Sequence, residues 1–140
     1  MGKAAISIAI KDWDKAIELS PGPEQTFYRA GRAISRMQAG QTAEAVAEVE
    51  ELTKESKWNA GQWYNFSCVY AVASGQIADK RTEYADRAME MLRQAVKAGF
   101  KDAANMQQDK DLDPLRERED FKTLLAALGK QPPPQPEQKP

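Results

Sequence analysis

Between positions 63 and 70 the chain carries three large aromatic residues and one small residue at a fixed spacing. Trp63, Phe66, Ser67 and Tyr70 stand at i, i+3, i+4 and i+7. Residues at those intervals lie on one face of an α-helix, so the segment predicts a helix that packs through this face. Because Ser67 is small, we expect a facing helix to approach most closely there.

The same pattern occurs at two other places in the chain. It lies 36 residues earlier, where Phe27, Ala30, Gly31 and Ile34 hold the four positions, and a looser copy begins 37 residues later, at Phe100. Periods of this size indicate helical hairpin repeats. No segment alternates with period two for long enough to predict a sheet. The predicted fold is therefore all-α: antiparallel helix hairpins stacked as a superhelical solenoid of about seven helices.

The predicted helical repeat domain covers residues 6–129, after start residues 1–5. The predicted helices lie near residues 6–19, 24–38, 42–56, 60–74, 81–98, 102–107 and 114–128. Asp113 and Pro114 predict the start of the last helix, as an N-cap followed by proline at the first helical position. Residues 75–81 are predicted to be an inserted loop, with no role assigned.

The first predicted helix carries Ala9, Trp13, Ala16 and Pro21. Their spacing resembles A-x3-F-x2-A-x4-P, the second-helix signature of the tetratricopeptide repeat. We therefore expect the chain to begin inside a repeat, with its first helix unpaired. An apolar stripe on that helix, which includes Ile10 and Ile17, favours a homodimer through this face.

Small and aromatic residues recur at the positions where hairpins close. The predicted structural positions are Trp13, Ala16, Pro21, Phe27, Gly31, Ala45, Trp63, Ser67, Tyr70, Ala88 and Ala95. We expect these residues to serve packing rather than ligand binding.

The spacing of these residues resembles the tetratricopeptide repeat, whose first helix follows the pattern W-x2-L-G-x2-Y. Two stretches, WYNFSCVYAVAS at 63–74 and GFKDAANMQQDKDLDPLREREDFKTLL at 99–125, resemble the tetratricopeptide region that ends certain bacterial serine/threonine protein kinases. The resemblance implies a noncatalytic scaffold module that binds proteins. It also raises the alternative that the chain is a regulatory part of such a kinase, although kinase motifs are absent from it.

The resemblance implies that the first helix of each pair lines a concave groove that holds a peptide. The predicted groove residues are Tyr28, Arg29, Arg32, Arg36, Asn65, Cys68 and Val72. Three arginines along one stripe suit carboxylates and phosphates through forked hydrogen bonds. The alternative is a solvated face whose arginines pair with Glu44 or Glu48.

Composition excludes several classes of chemistry. The chain has no histidine, so Ser-His-Asp and Cys-His nucleophile systems cannot be built from its own residues. Its formal net charge is −1, which argues against binding to nucleic acid or to acidic membranes. No apolar run approaches the roughly 20 residues of a spanning helix. We predict a cytoplasmic protein with no catalytic residues, no cofactor and no metal.

Three further readings stay open beside their plainer alternatives. Asp109, Asp111, Asp113 and Asp120 have the spacing of calcium-loop ligands, but Pro114 stands where such a loop needs glycine. Cys68 is either a redox-sensitive thiol or a small apolar core residue. The tail of residues 130–140 contains five prolines and is predicted to be disordered, with Pro133–Pro136 as an alternative ligand for a polyproline-binding domain.

Overall fold

The computed structural model describes residues 3–20, 22–55 and 57–130 of the chain. Within those ranges it contains only helices and their connections, so the all-α prediction is confirmed. The predicted start residues Met1 and Gly2, the predicted helix-ending Pro21 and the tail 131–140 lie outside the described residues.

The described part of the chain contains seven α-helices and two short 3₁₀-helices. The α-helices are α1 (Lys3–Leu19), α2 (Pro23–Gln38), α3 (Thr42–Leu52), α4 (Ala60–Gln76), α5 (Arg81–Lys97), α6 (Ala103–Gln108) and α7 (Glu119–Gly129). The 3₁₀-helices are Ala78–Lys80 and Lys110–Leu115. From α1 to α5, each helix packs on the next one along the chain, and α2 also contacts α4.

Two helices end in the same glycine-dependent turn. After α2, Gly40 has φ +85°, and the backbone N–H of Gln41 donates to the Arg36 carbonyl at 2.8 Å. After α5, Gly99 has φ +115°, and the N–H of Phe100 donates to the Ala95 carbonyl at 2.9 Å. Glycine adopts positive φ without the clash that a Cβ causes, so each turn closes tightly and returns the chain to its neighbour.

The core is centred on α4, which begins with a reciprocal cap. The Asn59 side chain accepts from the Gln62 N–H at 2.8 Å, and the Gln62 side chain accepts from the Asn59 N–H at 3.1 Å. Most of the predicted structural residues are buried here and on the flanking helices. These are Trp63, Ser67, Tyr70, Ala45, Ala88 and Ala95.

The predicted first-helix residue Phe27 is not buried. Its side chain is 57% exposed, although its position in the pattern predicts a core contact. The Phe27 ring meets the Trp58 ring at 83°, with ring centroids 6.2 Å apart. Phe27 lies near the beginning of α2, beside the connection between α3 and α4, whereas Ala30 and Gly31 farther along the same stripe are covered.

The first helix is not unpaired, contrary to the prediction. The Trp13 indole Nε1–H on α1 donates to Ser35 Oγ on α2 at 3.0 Å, and a Cβ at Gly31 would lie 2.7 Å from the Trp13 ring. Thus Gly31 is small because Trp13 lies directly on it. Ala16 is half-buried on the same helix, so α1 and α2 form the first pair of the described fold.

The Asp113-Pro114 pair does not start the last α-helix. Asp109 caps the 3₁₀-helix Lys110–Leu115 instead, accepting from the Asp111 N–H at 3.0 Å, and α7 begins only at Glu119. Leu112 and Leu115 are completely buried in this turn, which favours the tighter helix. The predicted insertion at 75–81 is largely helical as well, because α4 continues to Gln76 and Ala78–Lys80 leads into α5.

Candidate functional site

The predicted arginine stripe meets a buried acid on the neighbouring helix. Glu48 on α3 is 6% exposed and accepts from Arg29 Nε at 3.0 Å. It also accepts a fork from Arg32, with Nε at 2.8 Å and Nη2 at 3.0 Å. Arg36 Nη1 lies 3.5 Å from the same carboxylate, and Arg32 Nη1 reaches Asp14 on α1 at 2.7 Å. We call these five residues the Glu48 cluster.

The arginines of the Glu48 cluster stabilise the charged form of Glu48, and Glu48 stabilises that of Arg32. Burial alone would raise the pKa of Glu48, but the hydrogen bonds from Arg32 and Arg29 outweigh it and lower that pKa. The hydrogen bond from Glu48 also raises the pKa of Arg32 against the effect of burial. The guanidinium groups of the stripe therefore join α1, α2 and α3. This is the alternative stated above, in which the arginines pair with Glu48 instead of facing an open groove.

The other predicted groove residues lie in three separate places. Tyr28 packs on α1, with its ring centroid 6.0 Å from that of Trp13. Cys68 is 5% exposed, and Val72 is a partly buried neighbour of the core. Asn65 alone among them is exposed on α4 and faces α2. Tyr28 and the arginines therefore contact α1 and α3, while Asn65, Cys68 and Val72 follow one another along α4, and peptide binding by this set stays a prediction.

A second polar cluster joins α4 to the segment after α6. The Tyr64 hydroxyl donates to Asp109 Oδ2 at 2.7 Å and accepts from Asn105 Nδ2 at 3.2 Å. Cys68 Sγ lies 3.7 Å from the same Asp109 oxygen. Phe100 stacks on the Tyr64 ring at a centroid distance of 4.6 Å. We call Tyr64, Cys68, Asn105, Asp109 and Asp111 the Asp109 cluster.

None of the five residues of the Asp109 cluster is a cation, and the nearby Arg116 donates to the backbone carbonyl of Asp109, at 2.7 Å, rather than to its carboxylate. Burial, with Asp109 nearby, raises the pKa of the Cys68 thiol, and burial and the bond to Asp109 raise that of Tyr64. Burial, followed by the charges of Asp109 and Asp113, raises the pKa of Asp111. A thiol of this kind is kept protonated, which is the opposite of what a reactive cysteine needs.

The calcium-loop spacing does not converge on one point in space. The potential ligand atoms of Cys68, Asp109 and Asp111 lie within 4.8 Å of one another. Asp113, however, accepts from Arg116 Nε at 2.7 Å, and Asp120 accepts a fork from Arg118. The four aspartates therefore serve three different contacts, and Asp109 uses both of its carboxylate oxygens within the protein.

The exposed Phe27 ring borders a cleft with a volume of about 530 Å³. The cleft is lined by Gly22, Thr26, Phe27, Glu55, Lys57 and Trp58. Trp58 is held rigidly at its base, since its indole Nε1–H donates to the Leu52 carbonyl at 2.9 Å and its ring meets Phe66 edge-on at 5.0 Å. Trp58 is only 8% exposed, so Phe27 supplies most of the aromatic surface of the cleft, with Glu55 and Lys57 beside it.

A smaller hollow of about 160 Å³ continues from Phe27 along α2 and α4. Its lining is mainly apolar, with Ala30, Gly31, Ile34 and Phe66, and its polar members are Gln62 and Asn65. Phe27 borders both hollows, which we together call the Phe27 cleft. The repeat pattern did not predict this cleft, because it assigned Phe27 to the core. The other residue that could have indicated the cleft is Trp58, an aromatic residue in the connection before α4.

The fold and these clusters define an all-helical domain whose polar contacts join helices. A family model described as A/B hydrolase-like, N-terminal domain matches residues 30–132. The chain therefore belongs to this family. No curated protein and no solved structure matches the chain significantly. Within the described residues, no helix is both long enough and apolar enough to cross a membrane.

The family match corrects the resemblance drawn from the sequence. The prediction that the chain belongs to the tetratricopeptide family is wrong, and so is the predicted relation to bacterial serine/threonine kinases. The i, i+3, i+4, i+7 pattern identifies the packing face of a helix, and unrelated families of paired helices share that face. The pattern was therefore right about helices and wrong about ancestry.

Proposed function

We propose that this domain is a noncatalytic binding module that holds an extended protein segment in the Phe27 cleft. The observation that carries the proposal is the 57% exposure of Phe27 beside the fixed ring of Trp58. Large exposed aromatic residues beside a preformed hollow favour binding, since little ordering is needed. The sequential stacking of helix pairs as a solenoid is part of this proposal.

The polar side chains along the cleft support an extended segment as the ligand. Asn65 is exposed on α4, beside the apolar hollow that contains Ile34 and Phe66. An amide side chain both donates and accepts hydrogen bonds, so it suits the N–H and C=O groups of a peptide backbone. An apolar side chain of the ligand would then pack on the exposed face of the Phe27 ring, within the cleft that Trp58 borders.

A noncatalytic role beside a hydrolase-like domain is consistent with the family description, which names an N-terminal domain. The chain contains no histidine for a Ser-His-Asp system. We therefore propose that this domain recognises a protein segment and leaves catalysis to other parts of such proteins.

The test is selection from a library of random displayed peptides, followed by affinity measurements. Peptides selected by the parent should bind Phe27→Ala at least about tenfold more weakly, because a buried aromatic anchor contributes more than about 1.4 kcal/mol. Leu19→Ala is the matched control, since Leu19 is 70% exposed and does not line the cleft. No enrichment, or equal loss in both variants, would reject the proposal.

A further inference from the structure

We propose that two copies of this chain pair through the Phe27 cleft, so that each copy covers the Phe27 ring of the other. This pairing goes beyond the proposed function, because the occupant of the cleft is a second copy of the chain and not a foreign protein segment. The contact is isologous: both copies use the same surface, and a twofold axis passes through the cleft.

The apolar part of the contact is the Phe27 ring together with the open space beside it. The side chain of Phe27 is 57% exposed. Gly22 lines the same hollow of about 530 Å³, and a Cβ added at Gly22 would meet no atom within 4 Å. A second phenyl ring therefore has room beside the first, and two such rings attract each other in offset or edge-on arrangements. Covering both rings removes apolar surface from water, which favours association.

The charged part of the lining is complementary to itself. Glu55 and Lys57 line the hollow that contains Phe27, and both side chains are exposed. Within the described residues neither of them forms an ion pair, whereas the adjacent Lys54 pairs with Glu51 at 3.2 Å. A twofold rotation reverses the order of the two charges, so Glu55 of one copy faces Lys57 of the other, and the reverse. A second copy therefore supplies the complementary order of charges without any further requirement.

The overall charge of the chain also favours contact between copies over repulsion. The formal net charge is only −1, so the long-range repulsion between two copies is weak. Each exposed ion pair contributes little free energy, so the Phe27 rings set the affinity and the two pairs of charges fix the orientation. Because of the twofold symmetry, every substitution acts at two places in the dimer.

Sedimentation equilibrium of the full chain measures this pairing. We expect a reversible monomer–dimer equilibrium in which Phe27→Ala raises the dimer dissociation constant at least about tenfold, because a ring is lost from both sides of the contact. Leu19→Ala is the matched control, since Leu19 is 70% exposed and does not line the cleft. A parent that stays monomeric at about 1 mM would overturn the inference, and so would equal effects of the two substitutions.

Charge reversal tests the symmetry of the contact. Glu55→Lys and Lys57→Glu each place like charges opposite one another at two positions, so each variant alone should dimerise about tenfold more weakly than the parent. Mixed in equal amounts, the two variants should form a heterodimer about as tightly as the parent, because all facing charges are then opposite. Such recovery would also show that both variants are folded. A mixture that stays as monomeric as its components would overturn the isologous contact.

The outcomes keep this inference separate from the proposed function. A monomeric parent that still selects peptides dependent on Phe27 would overturn the pairing and preserve the proposed function. A dimer that depends on Phe27, without any selected peptide, would support the pairing and reject the proposed function. Neither a dimer nor a selected peptide would remove both proposals.

Discussion

Glu48 is a buried acid and Asp109 a partly buried one, and both connect helices, but the Glu48 carboxylate is bound by cations and the Asp109 carboxylate by neutral donors. Three arginines surround Glu48, and its pKa is lowered. Asp109 receives neutral donors from Tyr64 and the Asp111 backbone, and its acidic neighbour Asp111 has a raised pKa. The Glu48 cluster therefore stabilises the fold by pairing opposite charges. The Asp109 cluster stabilises it by hydrogen bonds, while the charge of the neighbouring Asp111 works against it.

The largest expected effect comes from removing the acid of the Glu48 cluster. Glu48→Gln leaves Arg29 and Arg36 without their anion and leaves Arg32 with only the exposed Asp14, and we expect a loss of about 3 kcal/mol in the free energy of unfolding. Urea denaturation measures it. Glu50→Gln is the control on the exposed side of the same helix, with a change within about 0.5 kcal/mol. Similar losses in both variants would show that the cluster is not special.

The Glu48 cluster should also make the fold sensitive to acid. Because the folded-state pKa of Glu48 is lowered, its stabilisation is complete above the ordinary glutamate value of 4.5 and disappears as the pH falls through the folded value. Urea midpoints measured from pH 7 to pH 3 should converge for the parent and Glu48→Gln below about pH 4.5. A constant gap over that range would contradict this assignment.

Within the Asp109 cluster, Tyr64→Phe should have an intermediate effect. The change removes the hydroxyl that donates to Asp109 at 2.7 Å and leaves a partly buried carboxylate short of a donor, at a cost of about 1–2 kcal/mol. Labelling of the Cys68 thiol should also become faster. Cys68 contacts Asp109, so a weaker attachment of Asp109 to α4 exposes the thiol more often. Tyr84→Phe, half-buried on α5, should change neither quantity and serves as the control.

The smallest expected effect is a gain in stability from Asp111→Asn. The folded-state pKa of Asp111 is raised, so its ionised form destabilises the fold at neutral pH; this cost decreases as the pH falls below the folded value and is gone below the ordinary value of 3.8. We expect a gain of about 0.5 kcal/mol or less at pH 7, as for other partly exposed like-charge contacts. Asp79→Asn, exposed in the 3₁₀-helix Ala78–Lys80, is the control. A loss of stability would show that Asp111 makes a favourable contact instead.

The sequence predicted the all-α fold but only part of the candidate site. Hydrophobic periodicity identified α4, whereas the residue that lies on Gly31 is Trp13 of α1, a helix that the sequence analysis left unpaired. Asn65 was the one predicted groove residue that lies in the Phe27 cleft. Trp58 was missed, because its position in a connection gives no periodic signal. Phe27 was assigned to the core, since a pattern shows which side chains share a face but not whether another helix covers it.

By itself, the sequence determined the helices, because periodicity, glycine turns and caps act over a few residues and are written in neighbouring letters. Only the tertiary structure decided the contacts between distant residues: Arg32 with Glu48, 16 positions apart, and Tyr64 with Asp109, 45 positions apart. It also left Phe27 uncovered. The physical reason is that such contacts depend on how whole helices pack, and many registers satisfy the same pattern of apolar residues.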